Sequence, residues 1–196
     1  LLYHYYHYCL SLLSVNIPDG VVSIGAYAFS NCLQLDNVTL PDSLTSIGNA
    51  AFCNCHLSHI KIPKSVTEIG RGAFNLTTWL KDNHNDFIIV NGILVKYKGS
   101  YDSVKIPAGV TSIGAEAFFN HPCSSVTLPK GLKEIGECAF CYCEHLKNII
   151  LPDGVTSIGD KAFVSCAFSS ITVPNSVTSI GAYAFSSCAN LESITL

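Results

Sequence analysis

Methionine is missing from all 196 residues, tryptophan occurs once, and charged side chains make up only 13% of the chain. Each shortage excludes something. With so few Lys, Arg, Asp and Glu, the polar surface has to be supplied largely by Ser, Thr and Asn. Eleven Lys plus Arg against fourteen Asp plus Glu leave a formal net charge of -3. The chain therefore lacks the basic excess that draws phosphate backbones, and nucleic acid is not an expected partner. No apolar run of about 18 residues occurs, so the segment has no membrane span. The opening Leu1-Leu2-Tyr3-His4-Tyr5-Tyr6-His7-Tyr8 lacks the positive region and small-residue cleavage site of a signal peptide. With no initiating Met and an abrupt end at Leu196, the sequence reads as a fragment of a longer or processed polypeptide.

Catalytic patterns are equally scarce. The glycines are isolated, and none is followed by the Gly-Lys-Ser/Thr of a phosphate-binding loop. Serines recur in phase as Thr-Ser-Ile-Gly, at solvent-facing strand positions, and the carboxylates are scattered. Cys53-Asn54-Cys55-His56 with His59, and Cys141-Tyr142-Cys143-Glu144-His145, have metal-ligand residue types. A C-x-C with a nearby His is a weaker zinc signal than paired C-x-x-C motifs, and two of these cysteines belong to a buried column. No catalytic residue, metal site or cofactor is expected.

What is abundant is repetition. Ile-Gly-x-x-Ala-Phe occurs seven times, opening at Ile24, Ile47, Ile69, Ile113, Ile135, Ile158 and Ile180. A proline precedes each copy: Pro18, Pro41, Pro63, Pro107, Pro129, Pro152 and Pro174. The proline intervals are 22 or 23 residues, with one doubled interval of 44 between Pro63 and Pro107. A period in the low twenties is too short for two full helices and suits one solenoid coil.

The coil from Leu35 to Cys55 shows how a rung is built. Alternation of Val38 and Leu40 predicts a short strand, which Pro41 ends because it lacks an N–H for the ladder. Leu44 and Ile47 then point inward and Thr45 and Ser46 outward. Gly48 is expected at a sharp bend with positive φ, and Ala51 and Phe52 return to the core. Stacked coils turn these positions into columns, an aromatic one of Phe29, Phe52, Phe74, Phe118, Phe140, Phe163 and Phe185 beside an alanine one. One coil alone cannot shield its ring, so stability has to come from coil-to-coil contact.

Ten cysteines could indicate a disulfide framework. Cys32, Cys55, Cys143, Cys166 and Cys188, however, all stand three residues after the repeat Phe, the placement of a small buried hydrophobe. Reduced, structural thiols are expected there. The off-phase Cys53, Cys123, Cys138 and Cys141 are the better disulfide candidates. Asn37-Val38-Thr39 and Asn75-Leu76-Thr77 match the N-glycosylation pattern, which occurs often by chance.

Two stretches leave the pattern. After Phe74 the phase is lost until Val104-Lys105-Ile106-Pro107, and residues 75–104 read as a divergent coil. Within it, Phe87–Val90, Asn91-Gly92 and Ile93–Tyr97 predict a β-hairpin with a type I′ turn, replacing one coil and projecting from the spine. Residues 1–8 read as an irregular edge, with Tyr5 and Tyr6 in the Ala and Phe phases. His4, His7 and the tyrosines there are a minor candidate for an aromatic binding patch.

Segments 17–32 (Ile-Pro-Asp-Gly-Val-Val-Ser-Ile-Gly-Ala-Tyr-Ala-Phe-Ser-Asn-Cys) and 173–188 (Val-Pro-Asn-Ser-Val-Thr-Ser-Ile-Gly-Ala-Tyr-Ala-Phe-Ser-Ser-Cys) closely resemble BspA-type leucine-rich repeats. The resemblance covers nearly the whole chain, including the hairpin-bearing stretch from Trp79 to Tyr97. It implies one leucine-rich-repeat solenoid over 1–196, with 22–23-residue coils, short parallel strands and turns. Thr77 and His121 replace the phase cysteine in two coils. Members of this family are mostly secreted or cell-surface proteins of bacteria and some protists, implicated in adhesion and protein binding.

In such a solenoid the residue between the last two inward strand positions faces solvent. Those residues are Asn16, Thr39, Lys61, Lys105, Thr127, Ile150, Thr172 and Thr195. They form the candidate ligand-binding face, with Lys61, Lys105 and Ile150 interrupting an otherwise Thr/Asn ladder. Exposed strand threonine is also simply favourable. The expected function is a non-enzymatic, adhesin-like protein-binding module, its partner an extracellular-matrix protein or another surface protein. Two alternatives remain: a structural spacer carrying other domains, or end-to-end self-association through Leu191, Ile194 and Leu196.

Overall fold

A computed structural model describes residues 9–196. The chain comprises two compact units, Leu1–His84 and Asn85–Leu196, whose boundary falls inside the divergent segment 75–104. Sixteen short strands and one short helix, Thr78–Lys81, are the regular elements of the described residues. Each unit is a solenoid stack of leucine-rich-repeat-like coils, as the period predicts.

A coil contributes two strand pieces, one before its proline and one ending at the repeat Ile. In the first unit Ser14–Asn16 pairs in parallel with Asn37–Thr39. On another side Ser23–Ile24, Ser46–Ile47 and Glu68–Ile69 form a second parallel sheet. The second unit repeats this plan. Ser103–Lys105, Ser125–Thr127 and Asn148–Ile150 form one parallel sheet, and Ser170–Thr172 pairs with Ser193–Thr195. Parallel pairing in equal register follows from the fixed coil length, because each residue meets its counterpart one turn on.

Core columns run between these sheets. Leu44, Ile47, Ala51 and Phe52 are 0–1% exposed, while Thr45 faces solvent. In the first unit Phe29, Phe52 and Phe74 stack at 5.4 and 5.7 Å, nearly parallel. Trp79 then closes that stack edge-on against Phe74 at 5.0 Å. In the second unit the series Phe87, Tyr97, Phe118, Phe140, Phe163, Phe185 runs at ring separations of 4.9 to 5.5 Å.

The hairpin forms as predicted, with Phe87–Val90 antiparallel to Ile93–Tyr97. Asn91 and Gly92 have φ of 50° and 82°, which the type I′ turn requires. It does not project. Ile93 and Leu94 pair in parallel with Ser112 and Ile113, and Tyr97 occupies the aromatic column. The second hairpin strand therefore does the work of a coil: Leu94 is fully buried in the place of the repeat Ile. Projection would have left that strand's apolar side chains and the ring of Phe118 uncovered.

The glycine expectation also needs correcting. Gly48 is not at positive φ; that conformation falls on Ala50 (50°) and Asn54 (58°), and on their counterparts in other coils. Gly48 is needed for proximity. A Cβ there would sit 2.6 Å from the Ala26 nitrogen and 2.9 Å from the Ile24 oxygen of the preceding coil. Gly136 is confined in the same way, 2.8 Å from the Ile113 oxygen.

Three variants test this packing. Phe140→Ala should cost about 3–5 kcal/mol in urea unfolding, because it removes a fully buried ring with a neighbour on each face. Gly136→Ala should cost about 1–3 kcal/mol by forcing two backbones apart. Gly131→Ala, which meets nothing within 4 Å, should be neutral or slightly stabilising. Equal unfolding midpoints for the two glycine variants would refute the proximity argument.

Candidate functional site

Every residue of the sequence-derived strand face is exposed: Asn16, Thr39, Lys61, Lys105, Thr127, Ile150 and Thr172, with Thr195. The pairing groups them. Asn16 lies opposite Thr39 in the first unit. In the second, Lys105, Thr127 and Ile150 form one continuous ladder, and Thr172 lies opposite Thr195. Lys61 departs from the expectation because residues 59–61 form no ladder strand. At that coil the Asp36 carboxylate accepts the Ser58 N–H at 3.1 Å and the Ser58 hydroxyl at 2.6 Å.

An open groove lies along this face in each unit. The groove of the first unit encloses about 540 Å³ and brings Lys61 beside Asn16, Thr39, Asp19 and Asp42. That of the second encloses about 550 Å³, lined among others by Thr127, Asn148, Ile150 and Lys147. Lys147 is its single ionisable lining group. Ile150, 84% exposed, is the least buried large hydrophobic side chain of the described residues.

The cysteine column has a defined chemistry. Cys55 Sγ donates to the Phe29 oxygen of the preceding coil at 3.0 Å. Cys143, Cys166 and Cys188 donate likewise to the oxygens of Phe118, Phe140 and Phe163, at 3.0–3.3 Å. Each thiol satisfies a carbonyl that a bare hydrophobe would leave without that bond. Burial pushes the thiols of Cys55 and Cys143 up to about 12 and that of Cys123 to about 11, and raises Cys166 further. Such thiols stay protonated and make neither nucleophiles nor metal thiolates at neutral pH. All ten cysteines are free, including the off-phase Cys53, Cys123, Cys138 and Cys141 singled out as disulfide candidates.

The two cysteine–histidine clusters do not converge. Cys55 is committed to Phe29, and His56 approaches Asp36 no closer than 3.9 Å from the solvent side. No group of three or more His, Cys, Asp or Glu among the described residues is placed to hold a metal ion. Donation from the Ser58 hydroxyl and N–H keeps the Asp36 carboxyl below the usual carboxylate range. The same arrangement recurs where Asp102 accepts from the Ser124 N–H and hydroxyl at 3.1 and 2.6 Å. Recurrence at equivalent positions marks it as a clasp between coils.

Sequence reasoning did not anticipate how the two missing phase cysteines are replaced. The buried Thr77 hydroxyl donates to the Phe74 oxygen at 2.7 Å and accepts from Leu80 N–H, capping the short helix. One glycosylation pattern thus has its hydroxyl buried and engaged. His121 accepts the Cys123 N–H on Nδ1 and donates from Nε2 to the Gly99 oxygen at 2.9 Å. The only hint of either role was a hydrogen-bonding residue standing in a cysteine phase. The minor patch of His4, His7 and the neighbouring tyrosines lies outside the described residues.

A model of the BspA type leucine rich repeat region matches residues 2–121 and 111–196, with six copies. The chain belongs to that family. Comparison with curated proteins finds no match. Among solved structures, the chain is similar to the pneumococcal vaccine antigen PcpA, at 24% identity and TM-score 0.56 over 94% of this chain and 50% of that one. It is also similar to a leucine rich cell surface protein of Faecalibacterium prausnitzii (29% identity, TM-score 0.43, 97% of this chain and 61% of that one). A leucine rich repeat protein of T. pallidum matches at 28% identity and TM-score 0.41, over 92% and 78%. The chain spans about half the length of PcpA, and the likeness to PcpA speaks for the fold. No helix of the described residues is long and apolar enough to cross a membrane.

The raised thiols make stability depend on pH. Folded-state values lie above the ordinary value of 9.0, so the stabilisation is complete below pH 9.0 and is lost as pH rises toward about 12. Each such thiol should steepen the loss by about 1.4 kcal/mol per pH unit. Urea midpoints measured from pH 7.5 to 11 should fall less steeply in Cys143→Ala than in the parent chain. Identical slopes would mean that Cys143 ionises as freely in the fold as out of it.

Proposed function

We propose that this chain is a non-enzymatic, adhesin-like protein-binding module of a secreted or cell-surface protein, using the exposed face of its strand sheets. The observation that carries the reading is Ile150. An isoleucine standing almost wholly in water at the end of a Lys–Thr–Ile ladder, beside an open groove, contributes nothing to the stack. Buried against a partner, its side chain would contribute roughly 1.5–3 kcal/mol. Family membership supports the surface location and protein partners, extracellular-matrix or other surface proteins. Affinity would come from many modest contacts along the ladder.

The test is binding of the immobilised chain to a panel of matrix and surface proteins, followed by variants. Ile150→Glu and Lys105→Glu should each weaken capture at least about tenfold and leave the melting temperature nearly unchanged. Lys61→Glu probes the first unit separately. Full affinity in all three variants would exclude the strand face. Absence of any partner across the panel would favour the spacer reading, and a concentration-dependent size in solution would favour self-association.

A further inference from the structure

Cys138 and Cys141 are two of the four cysteines whose placement the column does not explain, and they fall in one turn. They occupy the residue before the repeat Ala and the residue after the repeat Phe, where the other coils carry Tyr27 and Ser30, or Lys161 and Val164. No other coil has cysteine at both positions. Both are buried, at 5% and 2% exposure. Together they make a Cys-Ala-Phe-Cys turn around Phe140.

The Cys141 N–H donates to the Cys138 oxygen at 3.1 Å, closing that turn. A four-residue turn holds its end Cα atoms within about 7 Å, overlapping the roughly 4.4–6.8 Å that a disulfide spans. Burial raises the Cys141 thiol, and the neighbouring Cys138 thiol raises it further. Cys138 holds φ at 52°, so the chain is already bent back at this residue. Cys55, Cys143, Cys166 and Cys188 differ: each is committed to a carbonyl of the preceding coil, and Cys143, two residues from Cys141, donates to the Phe118 oxygen. Cys141 donates instead to the Lys161 oxygen of the following coil at 3.1 Å, a single bond that oxidation would give up.

We propose that Cys138 and Cys141 are a modification site, closing a reversible disulfide within one coil by exchange with a low-molecular-weight disulfide such as oxidised glutathione. The Cys138 thiol gives its proton to water as its sulfur attacks the small disulfide; a mixed disulfide forms and one glutathione leaves as thiolate, which is protonated in turn. Burial holds the Cys141 thiol up at about 12, so its deprotonation is the slow step and quickens as pH rises; its sulfur then attacks Cys138 and expels the second glutathione thiolate. Two protein thiols are oxidised and one small disulfide is reduced to two thiols, so electrons balance without any other oxidant. Cys138 is the attacking sulfur because it is the more exposed of the two and does not carry the Lys161 bond. The product ties together the two ends of the turn that carries Phe140, and leaves the column thiols free.

The test uses the folded full chain, incubated with oxidised glutathione, then denatured, alkylated, digested and mapped by mass spectrometry. The expected result is loss of two of the ten free thiols, with the 138–141 peptide internally bridged, restored by dithiothreitol, and Cys143 and Cys166 still alkylated. Cys141→Ser should retain a glutathione adduct on Cys138, with its fold checked by circular dichroism. Full alkylation of both residues after exposure of the folded chain would overturn the proposal, as would bridging of Cys141 to Cys143. The mapping of the parent chain decides the question even where the serine variant does not fold.

Discussion

The approach of one coil to the next is the constraint from which the rest of this structure follows. Parallel strand pairing fixes neighbouring backbones about 4.8 Å apart, and flat rings one coil apart stack at 4.9 to 5.7 Å. Those two spacings are compatible, so one repeat length satisfies backbone hydrogen bonding and aromatic packing together. The bonds run between coils: Gly48 donates to the Ile24 oxygen behind it, and Phe52 to the Ala73 oxygen ahead. A coil taken alone would leave these groups unpaired and its ring wet. Glycine after the repeat Ile is the residue without which the spacing fails, since any Cβ would lie inside van der Waals distance of the preceding backbone.

Most of the fold was legible because it is periodic. Position in the repeat predicted which side chains are buried, and Leu44, Ile47, Ala51 and Phe52 lie where the pattern put them. Reasoning failed where it treated a coil by itself. The glycine after Ile47 was read as a turn residue, because a single coil shows bends and not the backbone pressing against it. The hairpin was read as replacing one coil, which it does, but also as projecting from the spine, for the same reason. Its strands are evident from Asn91-Gly92, but only the neighbouring coil shows that Leu94 and Tyr97 stand in for the missing Ile and Phe. For the candidate face, outward residues were identifiable by alternation, while the absence of a ladder strand at residues 59–61 was not, since His59-Ile60-Lys61 alternates as the other coils do.

The same inward–outward division separates positions that hold the stack from positions that do not. Inward positions are answerable to the coils on either side, which is why even the cysteines are occupied in bonding carbonyls. Where the cysteine is missing, Thr77 bonds the ring residue of its own coil and His121 reaches back to Gly99. Outward strand positions have no such obligation beyond tolerating a strand. Threonine meets that requirement at little cost, so an outward lysine or isoleucine carries more information than an outward threonine.

The poverty of charge then acquires a mechanical meaning. Long Lys, Arg, Glu and Gln side chains lose roughly 1.5–2 kcal/mol of rotamer freedom when immobilised, and short hydroxyl side chains lose less. A face built mostly of Ser, Thr and Asn on a backbone braced by inter-coil bonds is therefore ordered before anything docks on it. Binding to such a face would cost little in lost freedom, and weak contacts repeated along the ladder could sum to useful affinity. With only Lys147 ionisable in the groove of the second unit, selectivity there would rest on the spacing of hydroxyl groups and on one exposed isoleucine rather than on charge.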